Sequence, residues 1–417
     1  SILIIYNLKL SSKMVKNILT SNSLFVRNLL FTSVFGGLIG LLNYLFNIFV
    51  ARFTTMEIFG IYSATLGIIY LIQIPALSIQ ALITKTVAKN RLFNLNSYKW
   101  NILLQFTALG VVFGGVFLLF KEGISNIATI PSDLIIYLAI TFFLAFVSPI
   151  SKGLLLGKER IITVNLLLLF ETILRFVIGY FAIKTSAPLP LLILSCAVPS
   201  VITTLATLPL INLKGNGEKK SVPIDFKELF LATVSFLLLT IPYTLDLILV
   251  NPEFRAEYSG VSLLGKLVYF AAITIASVMF ARISNLTKKA EITKSLLVAL
   301  SLSIIIGLGT TAVLVIFKDS IISLSIGEKY LSVAPYLWIF GLCMTGYALV
   351  YMIANYFITQ RYYIYILVLL VCSLLQVYLF SVRNESLEMV IVNQVIVYLV
   401  LTLGTFGMLT LNLRKKE

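Results

Sequence analysis

Residues 243–284 constrain the fold of this chain more than any other part of its sequence. They form two apolar runs joined by a short polar turn at residues 251–257, and a helix needs ~20 such residues to cross a membrane. The first run carries one carboxylate, Asp246, and the second carries one ammonium group, Lys266. This pattern predicts two antiparallel membrane-spanning helices with a charge in each.

Composition extends that prediction to the whole chain. The sequence is 59% apolar and only 12% charged, and its mean hydropathy is +1.02, so it could not cover its apolar surface as a soluble protein. The formal net charge of +15 comes from basic residues dispersed through short loops, which argues against a nucleic-acid partner. Without histidine and with three cysteines inside apolar runs, the sequence predicts neither a metal site nor a cofactor.

About twelve transmembrane helices are predicted, which makes the chain an all-α polytopic membrane protein. The expected spans are residues 29–51, 58–83, 101–120, 134–156, 161–183, 188–211, 226–250, 258–283, 293–317, 332–358, 362–381 and 388–411. Six spans in each half predict two six-helix bundles related by a pseudo-twofold axis along the membrane normal, with a central cleft between them.

The expected domains follow from these spans. They are an N-terminal cytoplasmic segment (1–28), an N-terminal six-helix bundle (29–211), a cytoplasmic linker (212–225), a C-terminal six-helix bundle (226–411) and a basic cytoplasmic tail (412–417). The linker is rich in Gly, Lys and Pro and is expected to be flexible. Residues 1–13 precede Met14 and are either dispensable or an interfacial helix.

The positive charges predict an orientation. Most of the 32 Lys and Arg residues, counting Lys152 with its neighbouring loop, lie at the ends of spans on one side of the expected membrane. Cytoplasmic loops carry such an excess, so both termini are expected in the cytoplasm of a multi-pass plasma (inner) membrane protein.

Five prolines are expected to interrupt spans two, four, six and seven. They are Pro75, Pro149, Pro199, Pro209 and Pro242. Proline inside a helix leaves backbone polar groups that must find other partners or line a cavity. These breaks are either ordinary kinks or hinges.

The charges inside the spans are the candidate functional residues, because each is costly in hydrocarbon. Glu171 and Arg175 lie four residues apart in the fifth span and share one helix face, so they form either part of a pathway or a self-neutralising pair. Lys266 either faces a cleft or extends toward the surface. Asp246 is either a coupling or structural charge or an interfacial residue in contact with water.

Short motifs add a family resemblance that covers nearly the whole chain. They are Leu245-Asp246, Tyr258-Ser259, residues 263–266 and 280–284 in the second half, and Ala51-Arg52 and residues 59–64 in the first. The sequence resembles the polysaccharide biosynthesis proteins, which are lipid-linked oligosaccharide flippases of the multidrug/oligosaccharidyl-lipid/polysaccharide (MOP) exporter superfamily.

The resemblance implies a function and a set of site residues. It implies alternating access by two bundles, with a polyprenyl-pyrophosphate-linked oligosaccharide crossing from the cytoplasmic to the outer leaflet for cell-surface polysaccharide biosynthesis. Arg175 and Lys266 are then expected to bind substrate in a cationic cavity, with Arg52 and Arg282 near its outer and inner mouths. Besides the lipid bilayer, glycan-assembly enzymes are candidate partners.

Other functions remain open at this point. A drug exporter of the same superfamily would favour acidic cavities for organic cations. A lipid II flippase is a variant of the leading interpretation, although such flippases usually carry two more spans. A membrane-embedded glycosyltransferase or polymerase would need acids on a large outer loop, and the acids of the outer turns stand singly on short turns.

Overall fold

The computed structural model of the protein describes residues 23–90, 92–218, 223–283, 289–359, 362 and 364–414. The expected alternatives for residues 1–13 therefore fall outside the described residues. The α-helices are α1 (Ser23–Phe53), α2 (Met56–Ile72), α3 (Ile74–Lys89), α4 (Asn96–Leu119), α5 (Lys121–Ala128), α6 (Leu134–Val147), α7 (Pro149–Gly157), α8 (Ile161–Ala182), α9 (Pro188–Leu194), α10 (Val198–Thr207), α11 (Phe226–Leu249), α12 (Arg255–Ile283), α13 (Lys289–Ile316), α14 (Lys318–Ser325), α15 (Leu337–Thr359), α16 (Tyr365–Val382) and α17 (Leu387–Arg414). Two 3₁₀ helices, Leu208–Leu210 and Glu328–Tyr336, follow α10 and α14.

Each expected span coincides with one helix or with a pair of helices. Within the described ranges, nine segments are long and apolar enough to cross a membrane, and a tenth is added if α9 and α10 form one span bent by 41°. The shorter apolar helix Phe236–Leu249 lies in α11. The prediction of an all-α polytopic membrane protein with two bundles is confirmed.

Prolines divide three of the spans, as predicted. Pro75, Pro149 and Pro199 occupy the first or second position of a new helix, where a missing amide hydrogen costs nothing. The second, fourth and sixth spans therefore consist of α2 with α3, α6 with α7, and α9 with α10. Pro209 lies in the following 3₁₀ helix, whereas Pro242 lies inside α11 without ending it.

The apolar core is divided between the two halves. One cluster of buried side chains belongs to the second half, between residues 239 and 409, and another belongs to the first half, between residues 79 and 213. Two further clusters contain residues of both halves and join α1 and α2 to α11 and α12. Each bundle therefore has its own core, and a shared apolar contact holds the two together.

The outer face is defined here by the turns at residues 54–55, 251–254 and 383–386, which the charge pattern places outside. Two of these turns are bonded together, because the backbone amide of Asn251 donates to Asn384 Oδ1 (3.1 Å) and its side-chain amide donates to the Asn384 carbonyl (3.3 Å). The side-chain amide of Asn384 donates in turn to the Leu249 carbonyl (2.9 Å) at the end of α11.

The first part of the linker is bound to the first bundle. The Leu95 amide donates to the Leu213 carbonyl (2.9 Å), and the Gly217 amide donates to the Leu92 carbonyl (2.7 Å). A Cβ atom at Gly215 would lie 2.6 Å from the Leu92 carbonyl oxygen, so only glycine permits this approach. Residues 212–218 are consequently fixed by these bonds, and the expectation of a flexible linker is wrong for them.

The contact between the bundles depends on a glycine in α2. A Cβ atom at Gly67 would lie 2.9 Å from Ile248 Cγ1 and 3.0 Å from the Thr244 carbonyl oxygen of α11. The carbonyl belongs to a helix backbone and cannot move away as a side-chain end could. The absence of a side chain at Gly67 therefore allows α2 and α11 to pack in this arrangement.

We expect Gly67→Ala to destabilise this arrangement by about 1–3 kcal/mol, the usual effect of overpacking a well-packed contact. The thermal unfolding midpoint of the purified protein should fall. Gly115→Ala in α4 is the matched control, because no atom lies within 4 Å of a Cβ placed there. Equal midpoints for the two variants would contradict the proposed importance of the α2–α11 approach.

Candidate functional site

A cavity of about 400 Å³ lies between the two bundles. Its wall contains residues of α1, α2, α8 and the α9–α10 segment from the first half, and of α11 and α12 from the second. Among its described lining residues, those with a carboxyl, guanidinium or amino side-chain group are Glu171, Arg175 and Lys266. The structure thus brings together the two cations that the sequence places in a central cavity.

Neutral groups hold the guanidinium of Arg175. Its Nη1 donates to Asn43 Oδ1 (2.9 Å), and its Nη2 donates to the Tyr62 hydroxyl (3.2 Å) and to Cys196 Sγ (3.4 Å). The guanidinium also lies 4.3 Å from the centre of the Phe46 ring, a cation–π contact worth roughly 2 kcal/mol for a desolvated cation. No carboxylate of the described residues forms an ion pair with it, so its charge is available to an anion.

Glu171 does not pair with Arg175, so the expected alternative of a self-neutralising pair is wrong. Lys152 Nζ donates to both carboxylate oxygens of Glu171, at 2.9 and 3.1 Å, and the Thr203 hydroxyl donates to one of them. The side chains of Lys152 and Glu171 are only 7% and 12% exposed, which makes this a largely buried ion pair within the first bundle. The i, i+4 spacing permits the pair with Arg175, but a closer cation on another helix takes the carboxylate.

Lys152, which binds the cavity residue Glu171 without lining the cavity itself, is not among the site residues predicted from the sequence. The charge pattern counts it among the positive charges of an inner loop, although it lies inside the expected span 134–156. Its location was the available signal, because an ammonium group within a span needs a partner. In the structure it follows Pro149 in α7, and its Nζ also donates to the Ser200 hydroxyl.

Lys266 enters the cavity from the second bundle. Lys266 is only 7% exposed, so the alternative in which its side chain extends toward the surface is wrong. Its Nζ lies 4.3 Å from the centre of the Tyr243 ring, and no hydrogen bond or ion pair of this side chain occurs in the described part of the chain. Lys266 is therefore a second basic group without a direct ion pair among the described residues, although the Asp246 carboxylate interacts with it electrostatically.

Asp246 lies outside the cavity wall. It is fully buried, its Oδ2 accepts a hydrogen bond from the Tyr258 hydroxyl (2.8 Å), and its Oδ1 has no hydrogen-bond partner. The alternative of an interfacial carboxylate in contact with water is therefore wrong. A role as coupling or structural charge stays a prediction for Asp246, as it does for Glu171.

Neither a family model nor a curated protein matches this sequence, but solved structures match its fold. The fold is similar to the lipid II flippase MurJ in an inward closed conformation, at 13% identity and a TM-score of 0.74, over 92% of this chain and 87% of that one. It is similar to a multidrug resistance MATE family transporter of the MOP superfamily in an inward-facing conformation, at 16% identity and a TM-score of 0.64, over 91% and 96%. It is also similar to a MOP superfamily transporter from Pyrococcus furiosus Vc1, described by the reverse polarity of its binding pocket, at 14% identity and a TM-score of 0.58, over 92% and 94%.

This chain has the MOP exporter fold. The resemblance drawn from short sequence motifs is thereby confirmed at the level of architecture. Identities this low carry no substrate from one protein to another, so the cargo must be argued from the cavity itself.

In this MOP fold, cations bind backbone carbonyls across the two bundles at the outer face. Arg52 Nη1 of the first bundle donates to the carbonyls of Ser323 (2.8 Å) and Leu324 (2.7 Å) at the end of α14. Lys329 of the second bundle donates to the carbonyls of Arg52 (3.3 Å) and Thr54 at the end of α1. Each half therefore supplies the cation that binds a helix end of the other half.

Arg255 makes a third contact of this kind. From the start of α12 its guanidinium donates to the carbonyls of Ala128 (2.8 Å) and Thr129 (3.1 Å), where α5 ends, and to the Val250 carbonyl (2.9 Å). The last carbonyls of a helix lack intrahelical partners and lie at the negative end of its dipole, so they attract cations. These contacts close the outer face without a carboxylate.

Two other residues, Arg52 and Arg282, were expected at the mouths of the cavity. Arg52 does not line the cavity and instead joins the bundles at the outer face, so its assignment to the substrate site is not supported by its contacts. The backbone of Arg282 lies in α12, but its side chain is outside the described residues. Its expected place at the inner mouth stays a prediction.

We expect the cavity to attract anions, and Cys196 offers a probe beside Arg175. In a Cys343→Ser/Cys372→Ser background, an anionic methanethiosulfonate reagent should modify Cys196 at least about tenfold faster than a cationic one, after correction for their reactivity with a free thiol. Arg175→Gln should reduce this ratio, and Arg383→Gln at the outer face should not. A faster reaction with the cationic reagent would contradict a cationic cavity.

We expect Arg52→Met to loosen the outer closure, because the α14 carbonyls would exchange a charged donor for water at a cost of about 1 kcal/mol. Modification of Cys196 by a membrane-impermeant reagent added at the outer face should become about fivefold faster. Arg383→Met is the matched control, since Arg383 is exposed on the same face and its side chain makes no hydrogen bond to the described residues. An unchanged rate in Arg52→Met would remove this residue from the closure.

Proposed function

We propose that this chain is a flippase that carries a polyprenyl-pyrophosphate-linked oligosaccharide from the cytoplasmic to the outer leaflet by alternating access, for cell-surface polysaccharide biosynthesis. The observation that carries the proposal is the guanidinium of Arg175, which has no carboxylate partner among the described residues and lies in a cavity between two bundles of the MOP fold. A pyrophosphate cannot cross hydrocarbon without partners, and a guanidinium binds its oxygens through two parallel hydrogen bonds.

The rest of the cavity wall is suited to a head group that joins charge to sugar. Lys266 supplies a second cation from the opposite bundle, and Tyr44 and Phe270 supply aromatic rings with centres 5.9 Å apart. Sugar rings pack on such rings, while the side chains of Gln73 and Ser259 offer hydrogen bonds to hydroxyl groups. About 400 Å³ lies within the ~300–1,000 Å³ of small-molecule sites, so this state would enclose the pyrophosphate and the nearest sugar.

The competing functions fit this cavity less well. A drug exporter for organic cations needs a free carboxylate, but Glu171, the carboxylate among the described lining residues, is occupied by Lys152. A glycosyltransferase or polymerase needs acids or bases that contact the substrate, and the same ion pair removes Glu171 from that role. A lipid II flippase remains a variant of the proposal, since lipid II shares the pyrophosphate that the cavity would bind.

The proposal includes a location and partners. The protein would lie in the plasma (inner) membrane with both termini in the cytoplasm, where the excess of basic residues faces the cytoplasmic leaflet. Glycan-assembly enzymes would supply the substrate on that side and consume it on the other. An ion gradient, the membrane potential or this consumption would drive the cycle.

Arg175→Gln should abolish translocation of a polyprenyl-pyrophosphate-linked oligosaccharide in proteoliposomes, while the folded protein remains as abundant as the wild type. Abundance should hold because no carboxylate loses its partner, and Tyr62 keeps its hydrogen bond to Asn47 (3.0 Å). Arg175→Lys should retain part of the transport, because lysine keeps the positive charge but lacks the planar guanidinium that binds two oxygens at once.

Arg383→Gln serves as the control for losing one exposed arginine. Full transport by Arg175→Gln at equal abundance would exclude Arg175 from the substrate site and leave Lys266 as the candidate.

A further inference from the structure

We infer that Lys152 is a positioning residue that keeps the Glu171 carboxylate away from Arg175, so that the guanidinium stays free for an anion. The inference rests on the proposed function for its consequence in transport. Its electrostatic basis rests on the contacts of Lys152, Glu171 and Arg175 alone.

Glu171 and Arg175 would be expected to pair without a competitor. They lie one turn apart on α8 and both line the cavity. Opposite charges at this spacing attract each other even on exposed helices, and the attraction grows where water is scarce. A cavity that contained this pair would present a neutralised guanidinium to its ligand.

Lys152 supplies the competing partner from α7. Its Nζ contacts both oxygens of the Glu171 carboxylate, at 2.9 and 3.1 Å, and also donates to the Ser200 hydroxyl. The Thr203 hydroxyl donates to the same carboxylate from α10. Residues of α7 and α10 thus fix the acid on α8, and these contacts do not involve the second bundle.

The contacts of Lys152 therefore determine whether this side of the cavity carries a net positive charge. With Lys152 present, the acid and the ammonium neutralise each other and Arg175 remains a free cation. Without the charge of Lys152, the carboxylate would turn to Arg175 and remove the free cation, although Arg175 itself would be intact. Lys152 would therefore determine anion affinity without contacting the anion.

Protection of Cys196 by inorganic pyrophosphate measures this effect directly. In the Cys343→Ser/Cys372→Ser background, Cys196 is modified with the uncharged reagent N-ethylmaleimide at increasing pyrophosphate concentrations. Lys152→Gln should raise the half-protecting concentration about tenfold or more, which is the loss expected for a charge-assisted contact. Lys152→Arg keeps the charge and should stay near the wild-type value.

Combining Lys152→Gln with Glu171→Gln separates positioning from a simple change of net charge. If Lys152 acts by holding Glu171, its replacement should matter little once residue 171 is uncharged, so the double variant should stay within about twofold of the single variant Glu171→Gln. If only the net charge mattered, Lys152→Gln would change the half-protecting concentration by the same factor whether residue 171 is Glu or Gln. That result would overturn the inference.

Lys99→Gln is the control for removing a buried lysine of the same bundle. Lys99 Nζ donates to the carbonyls of Leu208 (3.1 Å) and Ile211 (2.9 Å) and has no carboxylate partner among the described residues. Its replacement should leave pyrophosphate protection unchanged. Should Lys152→Gln fail to accumulate, Thr203→Val decides, because loosening Glu171 should raise the half-protecting concentration in the same direction, and an unchanged value would overturn the inference.

The same measurement separates this inference from the proposed function. Absence of protection in the wild-type background would overturn the anion site and with it the role of Lys152. Protection that responds as expected, together with unchanged glycan translocation in Lys152→Gln, would support the positioning role and contradict the proposed cargo. If pyrophosphate protects Cys196 in the wild type, but Lys152→Gln changes the half-protecting concentration by the same factor with and without Glu171→Gln, the positioning role alone would be overturned.

Discussion

Cations satisfied by neutral dipoles are the interaction on which this structure depends. Arg175 is held by Asn43, Tyr62 and a ring face, and the cations of the outer face are held by backbone carbonyls. A buried cation without an anion would normally be unstable, but oriented dipoles replace much of its lost hydration. The charges are thereby retained without being cancelled.

The two kinds of polar contact have different places in the fold. The buried ion pair of Lys152 and Glu171 lies within one bundle, whereas the contacts between the bundles at the outer face join cations to carbonyls. A pair inside one bundle would not have to separate during the proposed alternating access. Arg52 and Lys329 are exposed and could exchange these carbonyls for water at little cost, whereas Arg255 is only 2% exposed.

The sequence predicted the architecture well because apolar length and proline position are local properties. The spans coincide with helices, and Pro75, Pro149 and Pro199 begin new ones. Arg175 and Lys266 could also be found, since a charge in a span must face protein or water. The partners of these charges could not be predicted, because partner choice depends on how the helices pack.

Lys152 and Arg52 show this limit in two ways. The i, i+4 rule offers Glu171 only the neighbour on its own helix, whereas its actual partner comes from another helix. The partners of Arg52 are backbone carbonyls, which every residue possesses and which therefore leave no trace in the sequence.

The ion pair in the first bundle also bears on how such proteins diverge. The helices are held together by apolar packing, which tolerates many substitutions of similar volume, and solved structures with this fold share as little as 11% of their residues with this chain. The charge of the cavity, by contrast, depends on a few side chains, and loss of the amine at residue 152 would turn the Glu171 carboxylate toward Arg175 and cancel its charge. Under the proposed function, a lineage could lose its affinity for anionic cargo within a few mutations and leave the scaffold unaltered.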